Sequence, residues 1–142
     1  KASAEHNATR EELVLRFFAF LHRYRTFDHS VVEFLNDYME RGTDTFDYSA
    51  SETLFAAVFD ALRSALPHGI VRGTRNQTPI NLYEGVAVGA ALAWQQQRVL
   101  VTTGMNKWMN SAALTTSTTG ATNSRKMVTH RIEFCRDKFL GL

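Results

Sequence analysis

The most apolar stretch of this 142-residue chain runs from Ile80 to Trp94 and is interrupted by Asn81 and Glu84. It is too short to cross a bilayer, which needs about 20 apolar residues. Asn81 is placed to cap a helix that continues to Gln97. Within it Gly85 and Gly89 stand four apart, with Ala87, Ala90, Ala91 and Ala93 around them. Residues four apart share a helix face, so this helix offers a side made of small residues against which another helix can approach closely.

The rest of the chain reads as helices too. Over 9–26, Leu13, Phe17, Phe20, Leu21 and Tyr24 recur at helical spacing, widened by Val14 and Phe18. Thr9 is the expected N-cap, and Glu11 and Glu12 suit the positive end of the helix dipole. Arg16 lies inside this apolar face, which predicts a structural role: its stem packs while its guanidinium is paired or bonded to carbonyls. Ser30 and Glu33 have capping-box spacing ahead of a helix that ends at Gly42. Ser49 and Glu52 repeat that spacing ahead of a helix to about Ala65, stopped by Pro67 and Gly69. The link 67–79 is long and carries Arg72 and Arg75. A weaker helix is expected over 103–113, and the Thr/Ser-rich run 115–119 reads as a loop by composition. Asn123 or Ser124 starts the last helix, with Val128, Ile132, Cys135 and Phe139 on one face. No alternating strand of useful length is present. The expected fold is all-α, a single bundle of about six helices spanning 1–142, with 121–142 as a basic C-terminal helix.

Charge is uneven. Residues 1–97 hold 9 basic and 12 acidic side chains, and residues 98–142 hold 7 and 2. In the last helix Arg125, Lys126, Arg131, Arg136 and Lys138 face only Glu133 and Asp137. Such a helix suits phosphates, and Arg125, Lys126 and Arg131 are the candidate nucleic-acid-binding residues, with DNA as the possible partner. Arg131 has a second option, which is to turn inward and pair with an acidic residue of an earlier helix. The lone Cys135 cannot form an internal disulfide, so a reducing cytoplasm is the expected compartment. No signal-like or membrane segment is expected. The chain begins at Lys1 without an initiating Met and is expected to be a piece of a longer protein.

Motifs for catalysis are sparse. The five histidines, His6, His22, His29, His68 and His130, do not pair at metal-site spacing, and no Cys–His cluster exists. His22, beside Arg23 and Arg25, reads as part of a solvated polar face. The phosphate-loop pattern is absent. Cys135, spaced with Ile132 and Phe139, reads as a buried apolar side chain rather than a nucleophile. No catalytic residue, metal or cofactor is expected of this segment.

Several segments together resemble a known family. The run from Arg10 to Phe20, with Leu13-Val14-Leu15-Arg16-Phe17-Phe18, resembles a helix of GmrSD-type proteins, which are modification-dependent restriction enzymes and related phage-defence proteins. Phe34-Leu35-Asn36-Asp37-Tyr38-Met39 is similar to that family's F-L-N-x-Y-M helix. The run Asn81 to Gly89 is similar to its next helix. Thr119 to Lys126, followed by Arg131-Ile132, resembles its Ser/Thr-rich loop and final helix. In that family nucleotide hydrolysis belongs to an N-terminal ParB/sulfiredoxin-like domain with an Asp-Gly-Gln-Gln-Arg motif, and some members add a His-Asn-His nuclease. Neither motif occurs here, and Gln96-Gln97-Arg98 follows Gln95 at a helix end, so no role is carried over to it. The resemblance implies a non-catalytic helical module that couples or assembles the other domains of a parent protein. A stand-alone helical nucleic-acid-binding domain is the alternative.

Overall fold

The computed structural model describes residues 9–42, 44–72 and 77–142. His6 and Arg75 lie outside the described residues. Among the described residues there are seven α-helices and no strand, so the all-α expectation holds.

Local chemistry sets most helix starts. Helix α1 (Arg10–Arg23) begins where Thr9 Oγ1 accepts the Glu12 amide at 3.1 Å, and it runs on into a 3₁₀ turn over Tyr24–Thr26. Helix α2 (Val31–Gly42) starts with the Glu33 amide donating to Ser30 Oγ. Helix α3 (Tyr48–Ala65) is capped by Asp47, whose carboxylate accepts the Ala50 amide at 3.0 Å. This corrects the expected Ser49 cap. Ser49 lies inside the first turn, and its carbonyl accepts the Thr53 hydroxyl. Helix α4 (Ile80–Gln97) starts after Pro79, with Asn81 already helical and donating to Thr122 Oγ1 at 2.8 Å. The expected Asn81 cap is therefore also corrected.

The segment after α4 folds differently from expectation. Instead of one helix over 103–113 and a loop over 115–119, there are two short helices, α5 (Met105–Met109) and α6 (Ala112–Thr118). Ser111 separates them, since its hydroxyl accepts the Leu114 amide and caps α6. The Ser/Thr run remains helical because its hydroxyls bond back along the helix. Thr116 donates to the Ala112 carbonyl, and both Ser117 and Thr118 donate to that of Leu114. Helix α7 (Arg125–Leu140) starts at a Ser124 cap and stops at Gly141, which has a φ of 88°.

Helix α4 is the hub. It packs along α7 and also touches α1, α3 and α6. The pair α4/α7 runs parallel, with Gly85 beside Arg131 and Gly89 beside Cys135 and Arg136. A Cβ added at Gly89 would lie 2.7 Å from both the Arg136 nitrogen and the Cys135 Cβ. The small-residue face thus does what its spacing predicts. Helices α1, α2 and α3 enclose a phenylalanine cluster, in which Phe17 meets Phe18 and Phe55 edge-on and Phe20 meets Phe34. No helix among the described residues is long and apolar enough to cross a membrane.

Candidate functional site

The hub helix carries a carboxylate into the core. Glu84 sits one turn into α4, among apolar neighbours, and has no solvent exposure. An unpaired buried carboxylate is very costly, and two arginines compensate for it. Arg16 of α1 places Nη1 2.6 Å from Glu84 Oε1, and Arg131 of α7 places Nη2 2.7 Å from Oε2. Each carboxylate oxygen therefore receives one guanidinium. Arg16 also donates from Nε to Glu12 at 3.0 Å, so the charges alternate along the path Glu12, Arg16, Glu84, Arg131.

Arg131 is the tighter of the two anchors. Its side chain is 0% exposed, against 13% for Arg16. Beyond Glu84 it donates to the Ser117 and Thr122 carbonyls, at 3.1 and 2.8 Å, and to Asn123 Oδ1 at 3.1 Å. It thereby ties the end of α6 and the α6–α7 link to the core. Only its Nε lacks a partner among the described residues.

A polar cavity of about 610 Å³ opens beside this network, between the start of α4 and the end of α6. Arg16, Asn81, Thr118 and Asn123 are on its wall, with Arg72. Arg72 donates to the Met109 carbonyl at 3.2 Å and to Thr118 Oγ1 at 2.9 Å, holding α5 and α6 together. The lining offers hydrogen-bond groups and positive charge. Among the described residues there is no group of three His, Cys, Asp or Glu side chains that could hold a metal ion.

The other reactive side chains are similarly engaged. Cys135 is buried against α4, and burial pushes its thiol well above the ordinary value, which keeps it protonated and weakly nucleophilic. Burial, and next the charge of Glu84, raises the Tyr83 phenol, whose hydroxyl donates to the Leu13 carbonyl at 2.8 Å. His22 is not simply part of a solvated face: its Nδ1 lies 2.7 Å from the Tyr38 hydroxyl. Its pKa is lowered first by burial and then by the charge of Arg23.

The three basic candidates separate. Arg125 has a 63% exposed side chain at the start of α7, although its Nε donates to the Phe27 carbonyl at 3.0 Å. Lys126 beside it is exposed. Arg131 is corrected: it turns inward to Glu84, and a fully buried guanidinium cannot meet a phosphate. Arg16 has the paired, packed setting expected of it. Sequence reasoning treated Glu84 only as a break in an apolar run. A lone carboxylate there, with an arginine inside another helix's apolar face, was the signal for the pair.

Comparison with protein-family models, with curated proteins and with solved structures finds no match.

Proposed function

We propose that this segment is a non-catalytic helical module of a GmrSD-like restriction or phage-defence protein, coupling or assembling that protein's NTPase and nuclease parts. One observation carries the reading. The segments that resemble the family are far apart in sequence, yet they supply Arg16, Glu84 and Arg131, which meet in one buried ion-pair network. A network of this kind is suited to fixing the relative position of the three helices that supply it. The coding sequence upstream is expected to contain Asp-Gly-Gln-Gln-Arg in the same frame, and the pure 142-residue chain is expected to turn over neither ATP nor GTP. Steady turnover that survives further purification, or an upstream frame without the motif, overturns the reading.

The exposed pair Arg125 and Lys126 favours the second reading, a helical nucleic-acid-binding domain that uses the start of α7.

A further inference from the structure

A groove of about 470 Å³ lies on the face where α1, α2 and α3 meet, away from the Glu84 network. Three large apolar side chains that stay in water gather on it: Val14 at 39% exposed, Met39 at 50% and Tyr48 at 67%. The ring of Phe55 is also on its wall. Apolar side chains exposed singly are ordinary, but a gathered set marks an interaction surface.

The charged residues lining the groove are Glu11 on α1 and Glu52 on α3. Both are exposed, and neither has a hydrogen-bond or ion-pair partner among the described residues. The groove is therefore apolar inside and negative at its rim. That pairing selects its occupant. An anionic membrane surface would be repelled. A second copy docking groove to groove would bring the same glutamates together, because a two-fold contact places one patch against itself. An added strand would need unpaired backbone groups, whereas these walls are helices whose amides are bonded internally. What fits is a helix with apolar anchors a turn or two apart and Lys or Arg beside them. From Glu11 to Phe18 the wall of α1 rises about 10 Å, the span of two such turns.

We propose that this groove docks a basic amphipathic helix of a partner polypeptide segment. The proposal deepens the module reading, on which it rests for the expectation that a partner exists. Its test is separate from nucleotide turnover and from the upstream sequence, so either can fail alone.

The probe is a fluorescein-labelled 14-residue helical peptide with leucines at anchor spacing and flanking lysines. A twin carries glutamates in place of the lysines. Anisotropy is read against the full chain at low salt. The lysine peptide is expected to saturate and the glutamate twin to bind at least roughly five-fold more weakly, since exposed charge pairs contribute modestly each. Glu11→Lys/Glu52→Lys should reverse that order. Met39→Asp should weaken the lysine peptide roughly ten-fold or more, as a carboxylate would be desolvated on docking. Val14→Asp serves as a second apolar variant should Met39→Asp fail to keep the parent's melting curve. Four results overturn the proposal. They are no saturation by the lysine peptide, equal binding of the two peptides, binding untouched by the apolar variant, and self-association of the chain that the apolar variant abolishes.

Discussion

Glu84 is held by two guanidiniums that are not equivalent, and the difference sets what each substitution does. Arg16→Ala leaves Glu84 with Arg131 and opens the Arg16 side of the carboxylate toward the polar cavity. Arg131→Ala leaves Glu84 with Arg16, whose side chain is 13% exposed, and also strands the Ser117 and Thr122 carbonyls and the Asn123 amide oxygen. Removing one member of a buried pair costs about 3–5 kcal/mol. Arg16→Ala is expected near the bottom of that range, and Arg131→Ala near or above its top. Replacing all three charges at once (Arg16→Met, Glu84→Leu, Arg131→Met) should cost less than Arg131→Ala, because the one charge left without its partner, Glu12, is 42% exposed and no buried charge is left unpaired. Urea unfolding of the four proteins checks the order. A melting curve for Arg16→Ala that overlays the parent's would make Arg16 surface decoration. Sequence spacing gave Arg16 a structural role because an arginine inside an apolar stripe needs a partner. It could not supply the partner, which lies 68 positions away, nor decide between the two options of Arg131. That choice depends on where α4 places Glu84, a property of packing and not of local pattern.

At the scale of elements, the close approach of α4 and α7 makes its own prediction. Alanine in place of glycine inside a helix gains about 1 kcal/mol of propensity. At Gly89 the added Cβ would stand 2.7 Å from backbone nitrogen and from the Cys135 Cβ, so the two helices must separate. Overpacking of this kind costs about 1–3 kcal/mol, occasionally more, and Gly89→Ala is expected to lose net stability. Gly85→Ala meets the Arg131 carbonyl at 3.1 Å and should lose less. Equal urea midpoints for the two variants, or a gain at Gly89, would show that α7 yields easily. The four-residue glycine spacing announced this contact, because helix periodicity alone places both residues on one face. Helix starts were legible at Thr9 and Ser30, and at the last helix Ser124 is the cap of the two residues, Asn123 and Ser124, that the sequence offered. The start of α3 was misread because Ser49 and Glu52 have capping-box spacing, whereas Asp47, two residues earlier, accepts the Ala50 amide. The helical state of α6 was hidden for another reason: Ser/Thr composition suggests a loop, yet Thr116 and Thr118 satisfy their hydroxyls on the preceding turn.

For the molecule as a whole, the excess of positive charge in residues 98–142 is only partly available to a ligand. Arg131 is spent inside the core, and Arg136 pairs with Asp137 at 2.8 Å and with Glu133 at 3.5 Å. Lys138 lies over the Phe134 ring. Arg98 after α4 and Lys107 on α5 are exposed outside α7, Arg125 and Lys126 remain at its start, and Arg125 is held near Phe27 and Asp28. If the molecule meets duplex DNA or RNA through this end, the footprint is small, about two phosphates. Counterion release then gives a slope of about −2 for log K against log salt on a duplex. Arg125→Ala/Lys126→Ala should bring that slope close to zero. Arg131 has to be left out of the comparison, since its loss would unfold the end of the bundle and abolish binding for a reason unrelated to phosphate contact. The measurement is binding of labelled duplexes at three or more salt concentrations by the parent and the double variant, with melting curves to confirm that both are folded. A parent slope steeper than about −4 would mean that other cations reach the duplex. An unchanged slope in the double variant would move the contact away from α7, and no binding at low salt would leave this helix as the element that closes the bundle over Glu84.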